Sequence, residues 1–282
     1  MQAPMACISR EVEIPEELKA ASPRIVGFFQ SLALANQSML LLDFDGTLAP
    51  FRLDPSKVRP WSGVTELLGS IHESARTRLA IVTGRPAADV TLLLGLHPPV
   101  EIWGLHGAER LHPDGQLERE GLLVHQQEAL RTARDRVRSA RMGMALKVEE
   151  KWNSIAFHWR GKRPQTVRSA RRRTYKLLRE FADGTGMQLL EFDGGIELRA
   201  GRDKGDVVRL LLQASGPDMP VAYLGDDATD ENAFAALPRQ GLGVLVRPVW
   251  RPTAAQVWLR PPGQLLRFFK TWLQTLQIDV ER

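Results

Sequence analysis

Residues 39–48 read Met39-Leu40-Leu41-Leu42-Asp43-Phe44-Asp45-Gly46-Thr47-Leu48. The run 39–42 carries no polar residue, the pattern of a strand buried on both faces. It delivers two carboxylates, Asp43 and Asp45, to its C-terminal end, which is where ligands bind in open α/β sheets. Gly46 lets the chain turn sharply behind them. Burying an unpaired carboxylate is too costly for either Asp to serve packing alone. A bare Asp-x-Asp is common in turns; the apolar strand before it and Gly-Thr-Leu after it make this one specific.

Working outward, further apolar runs at 79–82, 100–103, 221–224 and 243–246 also read as strands buried on both faces. Val64, Leu67, Leu68, Ile71 and Ala75 follow helical spacing, and a second helix over about 204–214 turns Val207, Val208, Leu211 and Leu212 to a core. Alternating strands and helices predict an open α/β domain with a parallel sheet. The middle of the chain differs: a basic helix near 125–141, strand-like segments at 145–149 and 154–159, and a second basic helix near 164–182. A further pair, 187–192 and 196–199, is separated by Asp193-Gly194-Gly195, whose glycines would permit the positive φ of a tight turn. Antiparallel strands with helices predict a separate α+β lobe inserted into the α/β domain. The tail 265–276 reads as an amphipathic helix covering the core, and Trp250, Trp258 and Trp272 as packing or surface residues.

The chain has 282 residues, 43% hydrophobic and 25% charged, enough for one large domain or a core plus a lobe. Its longest apolar stretches, such as 39–42 and 210–212, fall far short of the roughly 20 residues that span a bilayer, and the first residues lack a signal-peptide pattern, so a cytoplasmic protein with no membrane partner is expected. The single cysteine, Cys7, forms no internal disulfide, and no zinc-ligand spacing is present. The net charge of +5 is concentrated: between Arg131 and Arg179 there are 16 Lys or Arg against three acidic residues. Three readings fit that excess: a nucleic-acid surface with Trp152, Trp159 and Tyr175 as stacking groups, a lobe that draws an anion into a cleft, or a solvated helix face. The nucleic-acid reading ignores Asp43, and nucleic acid is not the expected partner.

A second acidic cluster follows the strand at 221–224: Gly225-Asp226-Asp227-Ala228-Thr229-Asp230-Glu231. Carboxylates converging on one sheet edge repel and raise one another's pKa unless a cation neutralises them. Hard oxygen ligands without nearby His or Cys favour Mg²⁺ over zinc. A helix cap, with Thr229 as capping residue, accounts for part of the motif but not for Asp226 and Asp227. Thr83-Gly84-Arg85 follows the second strand, and Lys204 opens a helix. A hydroxyl, exposed amides and an ammonium suit a phosphoryl group with spread negative charge.

These four pieces, in this order, resemble the signature motifs of the haloacid dehalogenase superfamily from Met39 to about Arg247. The resemblance implies a haloacid dehalogenase-like, Rossmann-like parallel-sheet core with an inserted α+β cap, and a Mg²⁺-dependent phosphomonoesterase. By that likeness Asp43 is the nucleophile, Asp45 the acid and base, and Thr83 and Lys204 hold the phosphoryl group. Mg²⁺ would sit on Asp43, the Asp45 carbonyl and Asp226, with Asp227 and Asp230 in support.

A closer resemblance is to the trehalose-6-phosphate phosphatases: Leu105-His106-Gly107-Ala108-Glu109, Glu149-Glu150-Lys151, the stretch from Ser154 through His158 to Arg160, Glu197-Leu198-Arg199, and the motif 225–231. It implies hydrolysis of trehalose 6-phosphate, a small sugar phosphate, as the final step of trehalose biosynthesis. It also implies a cap over 115–192 that sets specificity, inserted in a core over 23–114 and 193–282; residues 1–22 are expected to form an N-terminal arm. Glu149, Lys151 and Glu197 would bind sugar hydroxyls, and His106, Glu109, His158, Gly84 and Arg85 would line the substrate site. The family usually shows Glu-x-Arg-Pro and a slightly longer loop before its lysine. This chain reads Arg199-Ala200-Gly201-Arg202-Asp203-Lys204, without the proline and one residue shorter, which leaves glucosylglycerol phosphate, sucrose 6-phosphate or another glycosyl phosphate as competing substrates.

Overall fold

The computed structural model describes residues 12–52, 54–140, 146–192, 194–216 and 218–277. Among these the strands are β1 (Ser38–Leu42), β2 (Thr77–Val82), β3 (Glu101–Gly104), β4 (Glu109–Leu111), β5 (Leu117–Arg119), β6 (Lys147–Lys151), β7 (Ser154–His158), β8 (Gln188–Phe192), β9 (Gly195–Arg199), β10 (Val221–Gly225), β11 (Leu242–Val246) and β12 (Val257–Leu259). The α-helices are α1 (Glu16–Ala21), α2 (Arg24–Leu34), α3 (Val64–Glu73), α4 (Ala87–Leu94), α5 (Val124–Ser139), α6 (Pro164–Ala182), α7 (Lys204–Gln213), α8 (Glu231–Ala236) and α9 (Gly263–Leu276).

Eight strands form one sheet in the order β12-β11-β10-β1-β2-β3-β4-β5, parallel from β12 to β3 and antiparallel from there to β5. β1 is buried along its whole length because alternate residues feed two different cores. Leu40 and Leu42 point to the face covered by α2, α3 and α9; Met39 and Leu41 point to the face covered by α7 and α8. The period of two along a strand produces that split, and it explains why the run had to be apolar throughout. From β1 the chain winds outward through β2 and β3, whereas β10 returns on the other side of β1, so β1 and β10 flank the point where the winding reverses. Chain ends diverge there, leaving a crevice at the C-terminal edge.

The second sheet, β6-β7-β9-β8, is antiparallel throughout. α5 and α6 cover one face, where Leu130, Ala133, Val137, Leu178 and Phe181 pack on Ile155, Phe157, Ile196 and Leu198. The other face points to the crevice of the large sheet. β9 lies in this second sheet, which therefore extends past position 192 to Arg199, whereas β5, inside the 115–192 interval, pairs in the large sheet. The Asp193 part of the expected glycine turn lies outside the described residues. Gly195 is needed for space and not for positive φ: a Cβ there would lie 2.1 Å from the Phe157 carbonyl oxygen.

The expected arm at 1–22 also needs correction where it is described; residues 1–11, with Cys7, lie outside. From residue 12 the chain packs on the core, with Ile14 and Leu18 buried in the main apolar cluster. Trp272 is fully buried among Phe28, Phe29 and Phe268 and donates from Nε1 to Thr77 Oγ1 at 3.0 Å; Trp250 is exposed. No helix among the described residues is long and apolar enough to cross a membrane.

Candidate active site

Register brings the site together. Leu42 pairs with Leu224 of β10 and with Ile81 of β2, so Asp43, Asp226 and Thr83 leave adjacent strands at nearly the same height. Asp43 N–H donates to the Leu224 carbonyl at 2.9 Å and Thr83 N–H to that of Trp103 at 2.9 Å, fixing the backbone at each strand end. Lys204 arrives on the first turn of α7, where Asp203 and Asp206 form a reciprocal capping box and Asn232 Nδ2 donates to Asp203 Oδ2 at 2.7 Å.

The Lys204 ammonium lies between two carboxylates, 2.6 Å from Asp43 Oδ1 and 2.7 Å from Asp230 Oδ1. All three groups are buried. Burial alone would lower the lysine pKa, but Asp230 and Asp43 outweigh it and push it up, so the ammonium stays charged. Burial raises Asp43 against the pull of Lys204, with Asp230 and Asp45 adding to the rise, to about 7. Burial and then the neighbouring Asp43 and Asp230 raise Asp226 well above the usual carboxylate range. Asp43, Asp226 and Asp230 place one oxygen each within 4.8 Å of one another, a grouping that one divalent cation can hold.

These three carboxylates are not equivalent. Asp230 already accepts four hydrogen bonds: from Lys204, from Tyr223 OH at 2.7 Å, and from the N–H groups of Asp226 at 3.0 Å and Asp227 at 2.9 Å. Asp226 Oδ1, by contrast, is buried without a partner among the described residues. A cation would therefore find its free lone pairs on Asp226 and Asp43, while Asp230 braces the lysine and the loop. Asp227 borders the cavity and also caps the 3₁₀ turn Ala228–Asp230, accepting from Ala228 N–H at 2.7 Å; the cap expected from Thr229 is made by Asp227. Arg247 Nη1 and Arg251 Nη2 donate to the Asp226 and Asp227 carbonyls at 3.1 and 2.7 Å, holding this loop from behind.

Arg85 grips the Asp45 carboxylate with both ends of its fork, Nε to Oδ2 at 2.6 Å and Nη2 to Oδ1 at 2.7 Å. A cavity of about 370 Å³ separates the two sheets. From the large-sheet side it is bordered by Asp43, Asp45, Thr83, Gly84, Arg85, His106, Lys204, Asp226 and Asp227, and from the lobe by Glu149, Lys151, His158 and Glu197. The lobe residues form a connected polar wall. His158 Nε2 is 2.9 Å from Glu149 Oε2, a contact that draws the Glu149 carboxyl down to about 2. Lys151 Nζ donates to the Gly84 carbonyl at 3.1 Å, and Ser154 Oγ to Glu197 Oε1 at 2.7 Å.

Of the residues singled out in the sequence, Glu109 is the one the structure turns away. Its carboxylate accepts from Ala87 N–H at 3.2 Å, at the start of α4, and from Arg119 Nε at 3.0 Å, and it does not border the cavity. A helix N-terminus attracts a carboxylate whether or not substrate is near. Tyr223 and Thr47, whose hydroxyl is 3.3 Å from Asp43 Oδ2, were not singled out. Tyr223 had a signal: a lone phenol in a strand otherwise free of polar side chains must find a partner.

Gly46 shows how tightly the site is built. It adopts φ +89°, and a Cβ there would lie 2.3 Å from Asp226 Oδ2. Gly46→Ala is expected to cost about 1–3 kcal/mol in denaturant unfolding, through left-handed strain and displacement of Asp226; a loss under about 0.5 kcal/mol would contradict this crowding.

His106 supplies a pH dependence. Burial, followed by Arg199, Lys204 and Lys151, holds its pKa well below 6.5, so the folded state keeps it neutral where the unfolded chain takes up a proton. The unfolded state then binds more protons, and stability must fall as pH drops below 6.5, by up to about 1.4 kcal/mol per unit from this group. His106→Asn should flatten the stability–pH curve in that window; an unchanged slope would count against a neutral buried imidazole.

The sheet order, the inserted lobe and the carboxylates at the β1 and β10 ends define the class: the fold is that of the haloacid dehalogenase-like hydrolases. A crystal structure of such a hydrolase from Bacteroides thetaiotaomicron superposes with a TM-score of 0.59 at 16% identity, over 83% of this chain and 98% of that one. The C-terminal domain of Candida albicans trehalose-6-phosphate phosphatase superposes more closely, with a TM-score of 0.75 at 20% identity over 90% and 97% of the two chains. At these identities the likeness establishes the fold. Residues 41–260 match the family described as trehalose-phosphatase, and the chain belongs to that family. A trehalose-phosphate phosphatase of Mycolicibacterium paratuberculosis is 32% identical over 268 residues, covering 89% of this chain; the chain spans 66% of that relative's length.

Proposed function

We propose that this chain hydrolyses trehalose 6-phosphate to trehalose and phosphate, with Asp43 as nucleophile and Mg²⁺ as cofactor. The observation that carries the reading is the Lys204 ammonium seated between Asp43 and Asp230 beside the open Asp226 Oδ1. Membership of the trehalose-phosphatase family and the polar wall facing Asp43 support the sugar.

An Asp43 oxygen attacks phosphorus, the bond from phosphorus to the sugar oxygen breaks, and an aspartyl phosphate forms. Asp45 protonates the departing sugar oxygen and then takes a proton from water, which attacks the same phosphorus and releases phosphate with Asp43 restored. Before substrate enters, Arg85 occupies Asp45; a phosphate dianion competes for that guanidinium and frees Asp45 to turn towards the leaving oxygen. Thr83 Oγ1, the Gly84 N–H and Lys204 hold the phosphoryl oxygens. Mg²⁺, held by Asp43, Asp226 and the Asp45 carbonyl, would neutralise charge on the transferring group. General acid catalysis contributes only about 10²- to 10⁴-fold to a reaction that enzymes accelerate by up to about 10²¹-fold, so positioning and cationic stabilisation must supply most of the rate.

Glu149, Lys151, His158 and Glu197 offer acceptors and donors in pairs, which suits hydroxyl groups better than an apolar ligand. The shortened stretch 200–203 does not border the cavity, so its length changes no sugar contact made by these four residues. Phosphate release from a panel of trehalose 6-phosphate, sucrose 6-phosphate, glucosylglycerol phosphate, glucose 6-phosphate and a mononucleotide tests the choice. Trehalose 6-phosphate is expected to stand well above the rest; preference for another member would reassign the sugar.

Chelation by EDTA should abolish release, and Mg²⁺ should restore it. Mg²⁺ should also raise the unfolding midpoint by binding only the folded carboxylate cluster, by about 2.7 kcal/mol at a hundredfold excess over its Kd. Asp226→Asn should lose that increment; an equal increment in the variant would remove Asp226 from the metal site.

A further inference from the structure

Leu105, His106 and Gly107 form a strained turn, with successive φ values of +49°, +60° and +108°. Two consecutive non-glycine residues in the left-handed region cost energy that packing must offset. The turn is tied to the loop that bears Thr83: Leu105 N–H donates to the Arg85 carbonyl at 2.9 Å and His106 N–H to the Thr83 carbonyl at 2.8 Å. It also presses the imidazole on Gly84, where a Cβ would lie 2.6 Å from His106 Nε2. The same Nε2 lies 3.5 Å from Glu197 Oε2, on β9 of the lobe. Gly84 is thus held from two sides, by the His106 ring against its Cα and by Lys151 on its carbonyl, and Lys151 Nζ in turn lies 3.6 Å from Glu197 Oε1.

We propose that His106 is a positioning residue that couples Glu197, in the sugar wall, to the Thr83–Gly84–Arg85 loop that holds the phosphoryl group. When Glu197 takes a sugar hydroxyl its carboxylate is fixed, the imidazole is fixed against it, and Gly84 N–H is aimed at the phosphoryl oxygen. Sugar recognition is then converted into turnover and not only into affinity, which is how binding energy remote from the reacting bond raises kcat. The neutral state of the buried ring suits this role, since its Nε2 can carry a hydrogen towards Glu197 without placing another positive charge beside Lys204. The inference rests on the phosphatase reading.

The test is a double-mutant cycle of His106→Asn with Glu197→Gln, with His106→Gln alongside. Asn tolerates left-handed backbone better than most residues, so it keeps the turn while withdrawing the reach to Glu197; Gln keeps the reach. The cycle is run on whichever glycosyl phosphate the unaltered protein turns over best, and on p-nitrophenyl phosphate, which has no sugar. A wrong choice of sugar is thereby detected in the unaltered protein alone. On the sugar phosphate each single change should lower kcat about 10-fold with KM within about twofold, and the double change should cost about 10-fold and not about 100-fold. His106→Gln should restore most of the loss. On p-nitrophenyl phosphate the two losses should multiply. Multiplying losses on the sugar phosphate, or a Gln variant no better than Asn, would overturn the coupling; equal non-additivity on both esters would reduce His106 to a structural support.

Discussion

Replacing Asp43 with Asn is expected to reduce phosphate release by about 10⁴-fold or more while leaving the fold intact. The side chains are nearly the same size, and the amide can turn its oxygen to the Lys204 ammonium, 2.6 Å from Asp43 Oδ1, and its nitrogen to Thr47, whose hydroxyl lies 3.3 Å from Asp43 Oδ2 and can accept. The change also removes one of three carboxylates that repel one another at the strand ends, and Lys204 retains Asp230 at 2.7 Å. What is lost is the anionic oxygen that must bond to phosphorus, because an amide is neither charged nor nucleophilic. Initial rates of phosphate release, with unfolding midpoints as a control on the fold, decide the matter. A loss of less than about tenfold with the fold intact would exclude Asp43 as the nucleophile.

Lys204→Met is expected to damage both activity and stability. The ammonium is the cation shared by Asp43 and Asp230, and removing one partner of a buried ion group leaves uncompensated charge, at a cost of about 3–5 kcal/mol. The sign of the pH response follows. Without Lys204 the Asp43 carboxyl loses the pull that opposes burial and rises further in the folded state relative to the unfolded chain, so the folded state binds more protons. The variant should therefore recover stability relative to the unaltered protein as pH falls from 7 towards the ordinary carboxylate range, about pH 4. Adding Asp230→Asn should relieve part of the stability loss at neutral pH but none of the activity loss, because the phosphoryl group still lacks its ammonium. Denaturant unfolding and initial rates measured on the same preparations separate the two effects; a fully stable, fully active Lys204→Met would remove the lysine from the site.

The site was legible in the sequence wherever a carboxylate or hydroxyl followed a strand buried on both faces. Asp43, Thr83 and Asp226 all follow that rule, since an apolar run that stops at a polar residue marks both the strand and its working end. Lys204 was legible only through its place in the series. Glu109 was not separable from the cavity residues, because a carboxylate that accepts from the first turn of α4 looks the same in sequence as one that faces a sugar. Asp227 took the cap expected of Thr229 for a related reason: both side chains can accept from nearby N–H groups, and backbone geometry chooses. The limits of the lobe were obscured because β9 has the alternation of any strand, and periodicity does not name the partner strand. α1 escaped notice because six residues with one buried leucine make a helix only when the main core receives Leu18. The basic stretch 131–179 divides in two: α5 and α6 cover the side of the second sheet that faces away from the cavity, with Arg171 and Arg138 paired to Glu191 and Glu150, whereas Lys147, Lys151, Arg160 and Lys162 border the cavity.

The role of Asp43 as the phosphate-bearing nucleophile is tested by stopping turnover of trehalose 6-phosphate with acid in the steady state and mapping phosphate on the peptides by mass spectrometry. A base-labile phosphate is expected on the peptide carrying Asp43, absent when Mg²⁺ is withheld and absent from Asp43→Asn. Turnover that proceeds at full rate with phosphate on no peptide, or with the label on a different carboxylate, would contradict that role.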